Sequence, residues 1–79
     1  MKVRVKLYGT LSLRVPGYQH SQGIEIELPE RATVSDLLSF LKISKSQGAV
    51  VAIDGRIRRA GDKIPGGVLA SVFQSVHGG

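Results

Sequence analysis

The chain contains no cysteine and no tryptophan, only two phenylalanines, two tyrosines and three prolines, and its longest apolar run is Ala49 to Ile53. Each of these absences excludes something. Without cysteine there is no disulfide, no thiolate metal site and no cysteine nucleophile, and nothing argues for an oxidising compartment. A five-residue apolar run falls far short of the roughly 20 residues that span a bilayer. Met1 to Lys6 alternates charged with apolar residues, so no signal peptide is read there, and a cytoplasmic protein that does not enter a membrane is the expectation. So few aromatic rings leave the core to Val, Ile and Leu. At 79 residues the chain makes one domain, near the size at which a single core buries roughly 60–65% of the unfolded surface. A large enclosed active site does not fit in it.

What is present is 42% hydrophobic residues and a net charge of +5. The charge permits nucleic acid, an acidic membrane or an acidic protein as partner and does not choose among them. Lys2 to Tyr8 sets Val3, Val5 and Leu7 against Lys2, Arg4 and Lys6, the period-two pattern of a half-buried strand. Residues 10 to 15 alternate again up to Pro16-Gly17, as a short strand or as a loop that turns Leu11 and Leu13 inward. The polar stretch 17 to 23 reads as loop. Ile24 to Leu28 is a second alternating strand whose Glu25 and Glu27 would face Lys2, Arg4 and Lys6 across an antiparallel pairing, each pair worth about 0.2–1 kcal/mol. That makes the basic row a cross-paired sheet face in preference to a nucleic-acid stripe.

Pro29 ends the strand. Thr33 is placed to cap a helix, with Asp36 completing a capping-box pattern, and Val34, Leu37, Leu38 and Leu41 form one apolar stripe on about ten residues. Lys42 favours the helix C-terminus. Ala49 to Ile53 is a β-branched strand, Asp54-Gly55 a hairpin turn and Arg56 to Arg59 a short charged return, arginine there guarding an edge or contacting phosphate. After the Pro65-Gly66-Gly67 turn, residues 68 to 73 form the last strand. Its two faces, Val68/Ala70/Val72 and Leu69/Ser71/Phe73, are both apolar, so whichever does not fill the core stays partly exposed unless a partner covers it. The helix packs over one side of a mixed sheet, an α+β arrangement.

The chain closes on Val76-His77-Gly78-Gly79. A glycine pair has no Cβ and passes through a channel too narrow for other residues, which makes a carboxylate at Gly79 a candidate reactive group. His20 and His77 have no companion at metal-ligand spacing, so no metal site is read; His77 contacts a partner or water.

The order of these elements, with Lys6-Leu7-Tyr8-Gly9-Thr10-Leu11, Leu28 to Leu38, Val50 to Gly55 and the terminal Val76-His77-Gly78-Gly79, resembles the ubiquitin-like β-grasp sulfur carriers of the MoaD/ThiS group, nearest to the small subunit of molybdopterin synthase. The likeness covers essentially the whole chain. It implies a single β-grasp domain over residues 1–79, a mixed sheet of four to five strands with one helix on one face, and a flexible C-terminal tail at 76–79. Two places depart from the family pattern. Gly66-Gly67-Val68-Leu69-Ala70 stands where a Gly-Asp-acid-Val turn is usual, and Phe73-Gln74-Ser75 where a Phe-Pro-Pro-like segment is usual; these bear on which pathway partner is used.

The resemblance further implies a carrier rather than an enzyme, at most the non-catalytic small subunit of a synthase. A MoeB/ThiF-type activating enzyme would use ATP and Mg to adenylate the Gly79 carboxylate, and a desulfurase or rhodanese would supply the sulfur of a thiocarboxylate. The chain itself would bind no cofactor and no metal. Gly78 and His77 belong to the reacting tail, and Phe73, with Leu69 and Ser71, to a docking face. Molybdopterin biosynthesis, with the synthase large subunit as a partner, leads over thiamin thiazole formation or another sulfur-transfer pathway. A ubiquitin-like protein modifier is the alternative of a different class, and a basic nucleic-acid-binding module ranks below both.

Overall fold

The computed structural model describes residues 1–43 and 48–74. Alternation dictates strand β1, Lys2–Leu7, in which Val3, Val5 and Leu7 are fully buried. Strand β2, Ile24–Glu27, pairs antiparallel with it in the expected register, Lys2 opposite Glu27 and Arg4 opposite Glu25. Glu25 lies 3.9 Å from Lys2 and 3.4 Å from Arg4, while Glu27 lies 3.9 Å from the Met1 amino group. The pairing stops at Val5 opposite Ile24, so Lys6 has no carboxylate partner among the described residues. These exposed pairs contribute at most about 1 kcal/mol each, enough to favour the register but not to hold the fold.

Strand β3, Ala49–Ile53, turns through Asp54 (φ 53°) and Gly55 (φ 78°) into strand β4, Arg56–Arg58. Positive φ at both central residues is the twist-matched hairpin geometry for which the Asp-Gly pair is suited. Strand β5, Leu69–Gln74, lies between β3 and β1, giving the sheet order β2-β1-β5-β3-β4. Among the described residues only the central pair β1 and β5 is parallel. The three-residue β4 is an edge strand, where charged arginine discourages pairing with another chain.

Helix α1, Val34–Phe40, covers one face of the sheet. Thr33 and Asp36 form the expected reciprocal cap: the Asp36 N–H donates to Thr33 Oγ1 at 3.2 Å, and the Thr33 N–H donates to the Asp36 carboxylate at 2.9 Å. Val34 and Leu37 join Val3, Val5, Ile53 and Val72 in a core whose buried side chains are all aliphatic. Fully burying such a side chain is worth about 1.5–3 kcal/mol, so this cluster is the main source of stability. A mixed sheet with a central parallel pair and one helix on one face is the expected β-grasp arrangement.

Three local readings need correction. Residues 9–14 form a 3-10 helix instead of a strand or loop, and Leu11 is 1% exposed while Leu13 is 79% exposed. A three-residue period turns positions two apart away from each other, so alternation cannot bury both. The loop at 17–23 is not merely polar, because Tyr18 packs against the core. Its last residue, Gly23, has φ 67°, and a Cβ there would stand 2.6 Å from the Val5 carbonyl oxygen, which ties the start of β2 to glycine.

The helix is also shorter than ten residues, and the reason is at its end. Lys42 sits at φ 60°, the Lys42 N–H donates to Ser39 O at 3.0 Å and the Ile43 N–H to Leu38 O at 2.9 Å. That is a Schellman motif, with lysine at the left-handed position usually held by glycine. Burial of Ile43 draws the chain inward at that point and ends the helix. Lys42→Gly is expected to raise stability by about 1 kcal/mol, the relief of a left-handed non-glycine residue. A denaturant midpoint unchanged or lowered at constant slope would show that the strain is not there.

Candidate functional site

Because β5 is a central strand, its two faces have different fates. Ala70 and Val72 are completely buried on the core side of the sheet, while Leu69 and Phe73 are 41% and 38% exposed on the other side, with Ser71 half-buried between them. This is the face assignment the resemblance implied. The alternation pattern left it open, and Phe73 is not a core residue.

The pairings place neighbours around this row. From β1, Arg4 stands opposite Leu69 and Lys6 opposite Ser71. From β3, Val50 stands opposite Phe73 and Ala52 opposite Ser71. The face therefore has an apolar centre with cations along one flank. Arg4, Lys6, Ser21, Gln22 and Leu69 line a shallow groove of about 460 Å³ where the 17–23 loop crosses that flank. One guanidinium nitrogen of Arg4 donates to Gln22 O at 2.6 Å and the other faces Glu25, so Lys6 is the cation left facing outward.

At the far end of β5 three segments of the chain meet, residues 7–10, 18–20 and 73–74. The Phe73 and Tyr8 rings stack with centroids 4.5 Å apart and planes 21° apart. Tyr8 in turn receives the edge of His20, with centroids 4.7 Å apart and planes at 79°. The Tyr18 hydroxyl accepts the Leu7 N–H at 2.7 Å and lies 3.2 Å from His20 Nδ1. Thr10 Oγ1 donates to Gln74 Oε1 at 2.6 Å. Sequence reasoning does not single out Tyr8, Thr10, Tyr18 or His20 as site residues. For Tyr18 and His20 the only local signal is a tyrosine and a histidine in an otherwise polar loop.

Gly78, Gly79 and His77, expected to form the reacting tail, lie outside the described residues. Gln74, paired with Ala49, is the last described residue of β5. Gly79 follows it by five positions (79 − 74), so covalent geometry limits the distance between their Cα atoms to about 17 Å. Among the described residues no three His, Asp or Glu side chains gather as a metal site would require, and no helix is long and apolar enough to cross a membrane.

No family model matches the chain, and no curated protein matches it. Solved structures do resemble it. A Pyrococcus furiosus protein assigned as molybdopterin converting factor, subunit 1, superposes with a TM-score of 0.76 at 24% identity, over 96% of this chain and 99% of that one. Small archaeal modifier protein 1 of Haloferax volcanii superposes with a TM-score of 0.74 at 17% identity, over 95% of this chain and 98% of that one. A second Haloferax volcanii structure, SAMP1, gives 0.72 at 17% identity with both chains fully covered. At such identities the likeness is one of fold, and that fold is the ubiquitin-like β-grasp.

Proposed function

We propose that this chain is a sulfur carrier whose Gly79 carboxylate, free as it stands or after removal of any residues beyond it, is the substrate of a MoeB/ThiF-type activating enzyme. The observation that carries the proposal is the open face of β5. Leu69, Ser71 and Phe73 present an apolar row next to the point where the chain continues toward Gly78-Gly79. A partner seated on that row has its active centre within the roughly 17 Å that the last five residues span.

A carboxylate is a poor electrophile at neutral pH, so its oxygen must first become a leaving group. One Gly79 oxygen attacks the α-phosphorus of Mg-ATP, pyrophosphate leaves and an acyl-adenylate forms. The terminal sulfur of a desulfurase or rhodanese persulfide then attacks the acyl carbon and AMP leaves. A thiol cleaves the resulting sulfur–sulfur bond, being oxidised to a disulfide with the donor, and the carrier keeps a thiocarboxylate. The nucleotide site and the redox groups belong to the partners. This chain contributes the terminus and the surface that directs it.

Molybdopterin biosynthesis, with the synthase large subunit as acceptor, is the pathway we favour. The fold it shares with the converting-factor subunit of Pyrococcus furiosus supports it. The likeness to the archaeal modifier structures supports a second reading in which the same adenylate passes to a lysine amine on a target protein. One experiment addresses both. The intact mass of the protein ending at Gly79 is followed with ATP, an activating enzyme and a sulfur donor. A gain equal to exchange of one oxygen for sulfur is expected. Covalent adducts in cell extract without that gain would turn the assignment to a modifier, and neither product with a demonstrably active enzyme would remove both.

A further inference from the structure

Among the described residues the buried side chains are all aliphatic, yet the rings of Tyr8, Tyr18, Phe73 and His20 gather at one partly exposed place. The cluster is not the core, and it sits where β5 ends. We infer that Tyr8, Thr10, Tyr18 and His20 act as a brace that fixes Phe73 and Gln74, the end of β5 from which the chain continues to Gly79. This inference rests on the reading of Gly79 as the reacting terminus, and it assigns to the brace residues a positioning role in that reaction.

The geometry supports a brace at three points. β1 ends at Leu7, whose N–H donates to Tyr18 Oη rather than to a backbone carbonyl, so a side chain from the loop closes the strand. The same hydroxyl lies 3.2 Å from His20 Nδ1, a hydrogen bond whose direction the imidazole tautomer sets. This orients the imidazole edge against Tyr8, and Tyr8 holds Phe73 by stacking. One residue further along β5, Gln74 stands in register with Ala49 of β3, and its side-chain oxygen accepts from the Thr10 hydroxyl. Gly9, with φ 62°, makes the bend that carries Thr10 over the end of β5.

Positioning is a strong lever here because a reacting oxygen must come within about 3–3.5 Å of its target, and a misplacement near 1 Å costs up to a hundredfold. The end of β5 is the point from which the five residues to Gly79 start, so a shift of that point shifts what the terminus can reach. The brace need not touch ATP or the partner to matter.

The test combines Thr10→Val and Tyr18→Phe, which remove two hydroxyls and keep the side-chain volumes, with Thr10→Ser as the conservative comparison. Two readouts are taken on the full chain. The first is amide hydrogen exchange of Phe73 in the protein alone, expected to quicken about tenfold in the double variant and to stay near wild type in Thr10→Ser. The second is pyrophosphate exchange with an activating enzyme, where kcat is expected to fall about three- to tenfold with KM unchanged. Unchanged exchange at Phe73 would overturn the brace, whatever the enzyme does. A raised KM at constant kcat would also overturn it, by making these residues part of the docking surface. If wild-type protein supports no pyrophosphate exchange, the reading of Gly79 fails and the amide result alone decides whether the brace exists.

Discussion

Gly78→Val is expected to reduce adenylation by at least about a hundredfold while leaving the unfolding midpoint unchanged. The two halves of that expectation have separate causes. Gly78 follows Gln74, the last described residue of the sheet, by four positions (78 − 74), and no described residue of the buried core comes from beyond Val72. The substitution removes no side chain and alters none of the described core residues. For the chemistry, a β-branched side chain adds three carbons directly beside the backbone and narrows the accessible φ and χ1 range, so a tunnel shaped for two glycines no longer admits the terminus. Deleting Gly79 should have a similar effect for a different reason. It leaves a carboxylate of the same chemistry but draws it back by about 3.3 Å, as large as the whole reacting distance. Pyrophosphate exchange and intact mass read the activity, and a denaturant melt reads the fold. Activity near wild type in either variant would mean that the Gly-Gly terminus is not what the partner uses.

Much of the fold, and part of this candidate site, is legible in the amino-acid sequence. Strand β1 announces itself because its inner and outer residues alternate without exception from Lys2 to Leu7. The Thr33–Asp36 cap and the Asp54-Gly55 turn are legible for the same physical reason: each is a local interaction, complete within a few residues, whose residue types are selected by backbone geometry. The face of β5 is not legible from pattern. Val68, Ala70 and Val72 are no more apolar than Leu69 and Phe73, and what buries Ala70 and Val72 is the non-local placement of β5 between β1 and β3. The family resemblance supplies the right face where the periodicity cannot. The segment 9–14 misleads because its alternating leucines copy a strand, while the backbone that follows Gly9 winds with a period of three. The aromatic cluster lies beyond local reading altogether, since Tyr8 and Phe73 are brought together by the parallel pairing of the first strand with the last.

Leu69→Asp tests the open face itself, and its KM for the activating enzyme is expected to rise by about thirtyfold or more with kcat preserved, an effect of the size seen when a central interface residue is truncated. Leu69 is a suitable probe because the fold should tolerate the change. It is 41% exposed, it fills no part of the core, and the new carboxylate would stand opposite Arg4 of β1, where an ion pair takes the place of the leucine's aliphatic packing. To a partner, the same change puts a charge in the apolar centre and cancels part of the cationic flank that Lys6 completes. Desolvating that carboxylate at an interface without a matched cation is costly, which is why the effect should exceed the removal of one leucine's area. Phe40 provides the comparison. At 54% exposure it is more open to solvent than Leu69, but it belongs to α1, on the opposite layer of the domain. Phe40→Gln is therefore expected to leave KM within about twofold, since surface changes away from an interface carry little energy. The reverse pattern, a large effect at Phe40 and none at Leu69, would move the docking surface to the helix layer. In that case the terminus would have to reach its target around the sheet edge, and the roughly 17 Å available after Gln74 would become the limiting constraint.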